Sequence, residues 1–235
     1  MTIHLLTAVF GGVSSLILLF VTMLYSPGWV DRGRWQLVNV LAFVTSTVSS
    51  IFTSAMLPSG DVTHWLTAVA GGVSVGTTVF VTTQCAYTDF TYRKGDRWTL
   101  RAAIAMNAAT GGVSLFLEPA RTQGERWLFV LLVLLSLVLF LIPSLGKSDA
   151  RATLLSVLAT YPMVGVLGVQ WGLIVLALVL GVYGVSSSVR MMWGVKGTLR
   201  VVFREKMSIP MVPLITGSFL IAEICAALAY DYSLA

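Results

Sequence analysis

Charge is what this sequence has least of. Only 11% of its 235 residues are Asp, Glu, Lys or Arg, against 57% that are hydrophobic, and the mean hydropathy is +0.88. Soluble domains carry about 25% charged residues, so the composition excludes an ordinary soluble protein and leaves too little polar sequence for a separate soluble domain. Cysteine is nearly absent. Cys85 and Cys225 both lie inside apolar runs and form no Cys-x-x-Cys pair, which argues against a disulfide framework or a zinc site. Only His4, and no Lys or Arg, precedes the first apolar run, and no small-residue cleavage site follows it; a retained span is expected there, not a removable signal peptide. Lysine is missing from the interior of every apolar run, which argues against a retinal Schiff base.

What is present is a series of apolar runs of membrane length. Crossing the hydrocarbon core takes about 20 residues of helix, and eight such segments can be read, roughly 4–24, 36–57, 64–88, 99–117, 127–144, 151–168, 171–189 and 211–230. The stretch between Arg151 and Arg190 is about twice the length of one span at ~1.5 Å per residue, so it is divided at Gly168–Gly172. The fold class is therefore all-α: a polytopic membrane protein of about eight transmembrane helices, one transmembrane domain over 1–235, with its N-terminus outside and membrane lipid around it. In that orientation 13 of the 15 Lys and Arg residues fall in inner loops, leaving only Arg121 and Arg126 outside. This is the asymmetry of the positive-inside rule. It assigns the formal net charge of +5 to topology, and no nucleic-acid partner is expected.

The chain also echoes itself. Leu6–Thr22, LTAVFGGVSSLILLFVT, matches Leu66–Thr82, LTAVAGGVSVGTTVFVT, at 11 of 17 positions. Weaker matches pair Arg34-Trp35 with Arg97-Trp98, and His64-Trp65-Leu66 with Arg126-Trp127-Leu128. Residues 1–63 and 64–126 read as a duplicated two-helix unit, and the Gly-Gly-Val-Ser of each copy would let helices approach closely.

Two acids carry the candidate chemistry. Asp89 closes the third segment, inside YTDFTYRKGDRWTL at 87–100, and Asp149 opens the sixth, inside SLGKSDARATLL at 144–155. Topology puts both at one depth on the inner face. Two carboxylates within a few ångströms share a proton, so one can activate a water while the other protonates the carbonyl or the leaving amine. The helix dipole favours the anion at an N-terminus and disfavours it at a C-terminus, which would make Asp149 the base and Asp89 the proton holder, titrating as a unit. Arg93, Lys94 and Arg151 lie close enough in sequence to offset that bias.

These stretches resemble a known family. Asp89-Phe-Thr-Tyr-Arg-Lys-Gly-Asp-Arg-Trp98 looks like the first active-site motif of the type IV prepilin peptidases. Gly146-Lys-Ser-Asp149-Ala-Arg151 is similar to their Gly-x-Gly-Asp-x-Lys/Arg motif, and Ile209-Pro210-Met-Val-Pro213-Leu-Ile-Thr-Gly217 to the Ile-Pro-x-x-Pro segment that opens their last helix. The matches occur in the family's order and make 64–235 the peptidase-like core. The resemblance implies an intramembrane aspartyl endopeptidase of the bacterial inner membrane that cleaves the basic leader from pilin-like precursors at the cytoplasmic face. It implies Asp89 and Asp149 as the catalytic pair, with Arg93, Lys94, Gly146, Ser148, Arg151, Pro210 and Pro213 near the substrate, and neither cofactor nor metal. The chain departs from the pattern in having Gly95-Asp96-Arg97 where the family has Ile-Pro-Asn, and Ser148 where it has Gly. It lacks the cysteine-rich insert associated with N-methylation, so methyltransferase activity is not expected. The alternative is an inactive homologue, or a scaffold or transporter that does no chemistry.

The remaining polar residues have ordinary readings. Asp96 reads as loop solvation. His4 and His64 read as interfacial, and Trp35, Trp65, Trp98, Trp127 and Trp171 as an aromatic belt at span ends. Glu223 lies inside the last span, where acids are costly. It either hydrogen-bonds within the bundle or reaches water at the outer rim.

Overall fold

A computed structural model of the chain describes residues 3–56, 65–92, 94–117, 122–142, 146–192 and 211–233. Among these the protein is entirely helical: α1 (Ile3–Leu24), α2 (Arg32–Met56), α3 (Trp65–Tyr92), α4 (Arg97–Leu117), α5 (Gln123–Val138, continued by a 3-10 turn over Leu139–Leu141), α6 (Lys147–Met192) and α7 (Met211–Ser233). Six of them are long and apolar enough to cross a membrane, and α7 holds a shorter apolar stretch over Met211–Cys225. Large apolar side chains face outward along them, Leu37, Leu141 and Val182 being at least 70% exposed. That is how a multi-pass membrane protein meets lipid.

The interior mixes an apolar core with many buried hydroxyl and amide side chains. In α3 every residue from Ala70 to Val81 is buried, which makes it the central helix, and it is tied to its neighbours by side-chain hydrogen bonds. Gln84 donates to Asn39 of α2 at 2.9 Å, Asn107 of α4 to Thr77 at 2.7 Å, and Thr82 to Thr216 of α7 at 2.8 Å. Lipid tails compete poorly for such groups, so hydroxyls and amides hold membrane helices together where hydrophobicity cannot.

The two Gly-Gly-Val-Ser segments meet. A Cβ on Gly72 would lie 2.3 Å from the Thr7 carbonyl oxygen, and one on Gly76 would lie 2.4 Å from that of Gly11. Thr7 donates to the Ala68 carbonyl and Ser15 to that of Gly76. Both bonds join residues 61 apart, so α1 and α3 run parallel with their backbones in contact. A third Gly-Gly-Val-Ser, at 111–114 in α4, seats α6: a Cβ on Gly111 would lie 2.7 Å from Pro162. The motif thus marks close packing in three helices.

The division of the long apolar stretch falls earlier than its glycine pair at 168 and 172 suggests. The break is at Gly165, with φ 64° and ψ −156°, a conformation open to glycine and costly to other residues. Beyond it the chain turns back. A straight helix separates residues 160 and 168 by about 12 Å, yet a Cβ on Gly168 would lie 3.1 Å from the Thr160 methyl. Thr160 also sits level with Glu223 of α7, whereas the later Gly172 packs on Phe219, one turn nearer the start of α7. α6 is therefore two segments, 147–164 and 166–192, of opposite sense where they meet α7.

Candidate active site

One end of the bundle gathers the segments singled out in the sequence. Gly95, in the connection from α3 to α4, is the meeting point: a Cβ there would lie 3.4 Å from Ser148 at the start of α6 and 3.6 Å from Val212 at the start of α7. The ends of α3, α6 and α7 that carry the three motifs therefore converge, with Pro213 buried in the first turn of α7, where a missing N–H costs nothing. Arg93 and Pro210 lie outside the described residues, as do His64 and the cations between Lys196 and Lys206.

Asp89, 7% exposed, is buried at the last turn of α3. Asp149 is half-buried in the first turn of α6. Asp89 stands near enough for its charge to act on Asp149, so the two acids do share a neighbourhood. Local geometry fixes the Asp149 side chain. Its carboxylate folds back on Gly146, where a Cβ would sit 2.7 Å from Oδ2. It accepts hydrogen bonds from the Gly146 backbone and the Ser148 side chain. Gly146 is needed for that approach, and Ser148 hydrogen-bonds the acid from the same turn.

Asp96 is not loop solvation. It is 3% exposed and caps α4, accepting from the Thr99 backbone N–H at 3.0 Å, from the Thr99 hydroxyl and from Trp98 N–H at 3.4 Å. Its own N–H reaches Cys85, which lies fully buried within range of both Asp89 and Asp96. Gly95-Asp96-Arg97 thus builds a tight cap that holds this connection against α3. Trp35 departs from the aromatic belt: it is 1% exposed and donates to the Thr22 carbonyl at 2.9 Å, joining α2 to α1. Trp65, Trp98, Trp127 and Trp171 are exposed as a belt requires, and His4 bonds the Ser54 carbonyl at the opposite end of the bundle. Glu223 lies within the bundle, accepting from Thr160 at 2.7 Å and from Ser74 at 3.4 Å.

Beside the acids is a cleft of about 730 Å³, walled by the 24–29 turn between α1 and α2, by 94–98, and by Lys147, Ser148 and Arg151. Asp96 borders it; Asp89 and Asp149 do not line it. The 24–29 turn carries Tyr25 and Trp29, and Tyr25 stacks on Trp98 with ring centroids 4.9 Å apart. The only sign of this turn in the sequence is Ser-Pro-Gly-Trp at 26–29 next to basic residues. Among the described residues no cluster of His, Cys, Asp and Glu could hold a metal ion. No protein-family model, curated protein or solved structure matches the chain.

Proposed function

We propose that the protein is a prepilin-type leader peptidase, an aspartyl endopeptidase that hydrolyses a peptide bond of a pilin-like precursor at the inner face of a bacterial cytoplasmic membrane. The observation that carries this reading is the convergence at Gly95: three segments far apart in sequence, each resembling a peptidase motif, meet at one end of the bundle with Asp89 acting on Asp149. The topology that accompanies it is eight spans with the N-terminus outside. It is favoured by the placing of the cations and by the reversal after Gly165, which separates the sixth and seventh spans.

In this mechanism one carboxylate takes a proton from the attacking water and the other gives one to the departing amine. Asp149, anchored to the Gly146 backbone at a helix N-terminus, suits the role of base; Asp89, buried at a helix C-terminus, suits that of proton holder. The cationic rim would repel a basic leader, so recognition rests on the substrate's apolar helix and its backbone.

Co-expression of a pilin-like precursor with wild type, Asp89→Asn or Asp149→Asn tests this. Each substitution is expected to lower processing by about 10²-fold or more, read as the ratio of mature to precursor protein on a blot. Equal processing by all three would sink the aspartyl mechanism. No processing by wild type against any precursor encoded beside the gene would favour an inactive homologue.

A further inference from the structure

Asp89 and Asp149 do not line the cleft beside them, and its chemistry points elsewhere. Lys94, Arg97 and Lys147 are exposed on its walls and Arg151 is half-buried there. Among the described residues none of the four has a carboxylate within ion-pair distance. The one acid at the rim, Asp96, has its oxygens taken up by the start of α4. The cations are also crowded: Arg151 lies within electrostatic range of Arg97 and of Arg101 behind it. Like charges held together at a concave site repel one another unless an anion lies between them.

The walls are preformed for such an anion. Lys94 sits over the Trp29 ring at 5.7 Å, and Arg97 and Arg101 flank Trp98 at 5.5 and 5.2 Å. Stacking on an aromatic face restrains long cationic side chains and lowers the ordering cost of binding. The volume falls in the range of small-ligand sites. The site lies at the end of the bundle, where apolar helices give way to basic loops and where phosphate groups of the leaflet are concentrated. Guanidinium groups match phosphate oxygens in pairs, and ammonium groups add point charges.

We propose that this cleft is a binding site for a phosphate-bearing anion, either the headgroup of an anionic phospholipid or a free phosphate compound. The site stands apart from the peptidase reading and would remain if Asp89 and Asp149 proved inert. The full chain in phosphatidylcholine nanodiscs doped with phosphatidylglycerol, examined by native mass spectrometry, is expected to retain one phosphatidylglycerol in preference to phosphatidylcholine. Lys94→Gln with Lys147→Gln should weaken that retention roughly tenfold or more. Arg32→Gln with Arg34→Gln removes the same charge from the same end outside the cleft and should change it less than about twofold. Displacement by millimolar inorganic phosphate or glycerol phosphate identifies a free phosphate compound as the ligand, and retention against both identifies the lipid. Equal losses in the two double variants would overturn the proposal. If the Lys94/Lys147 variant fails to insert, titration of wild type decides: saturation at one anion per chain supports the site, and unsaturable binding refutes it.

Discussion

Asp96 and Thr99 show how much one side chain's direction changes a reading. An acid in a basic loop and an acid capping the next helix look alike in composition, although Asp immediately before an apolar helical run is a recognised start signal. Because Asp96 accepts from two backbone N–H groups and a hydroxyl, Asp96→Ala should destabilise the protein by about 1–2 kcal/mol. Asp96→Asn, which can still accept, should cost less. The midpoint of thermal unfolding in detergent measures both. Asp89 and Asp149 were legible because an acid at the edge of an apolar run stands out. That they share a neighbourhood was not, since it depends on Gly95 touching two other helices. Trp35 was misjudged because a tryptophan near a span end can face lipid or another helix, and only the Thr22 carbonyl beside its indole decides.

At the scale of helices, hydropathy found the six helices long and apolar enough to cross a membrane, since a run of apolar residues needs no tertiary information to be recognised. The break at Gly165 was harder. Gly165, Gly168 and Gly172 are equally apolar in context, and the one that takes positive φ is chosen by packing: Gly168 is pressed against Thr160 and Val164, and Gly172 against Phe219. The glycine contact between α1 and α3 gives a sharper test. In Gly72→Ala the new methyl would sit 2.3 Å from a backbone oxygen, so the helices must separate, at an expected cost of about 1–3 kcal/mol. Gly112→Ala, in the third Gly-Gly-Val-Ser, meets nothing within 4 Å. It should be neutral or stabilise by up to about 1 kcal/mol through helix propensity. Detergent-resistant unfolding of the two variants side by side separates packing from composition, and equal behaviour would count against a backbone contact.

For the whole molecule, the ends of the bundle carry the topology. Residues of the 24–29 turn, the 94–98 connection and Lys147 share one end, while Thr122 caps α5 at the other, near Arg126 and its bond to the Leu115 carbonyl. In a cysteine-free background, Arg32→Cys and Lys147→Cys should react with a membrane-impermeant maleimide only in inside-out vesicles, and Thr122→Cys only in intact cells. Any other pattern overturns the orientation. The buried polar side chains have a mechanical consequence. α3, which carries Asp89, touches α1 backbone to backbone and is pinned to α2, α4 and α7 by side-chain bonds, so it can slide only by dragging the bundle with it. The segment 147–164, which carries Asp149, joins its continuation through a single glycine. That segment is itself buried from Leu154 to Pro162 and bonds Glu223 through Thr160, so both acids stand on fixed jaws of one vice, and Gly165 lets the chain beyond turn away without loosening either grip.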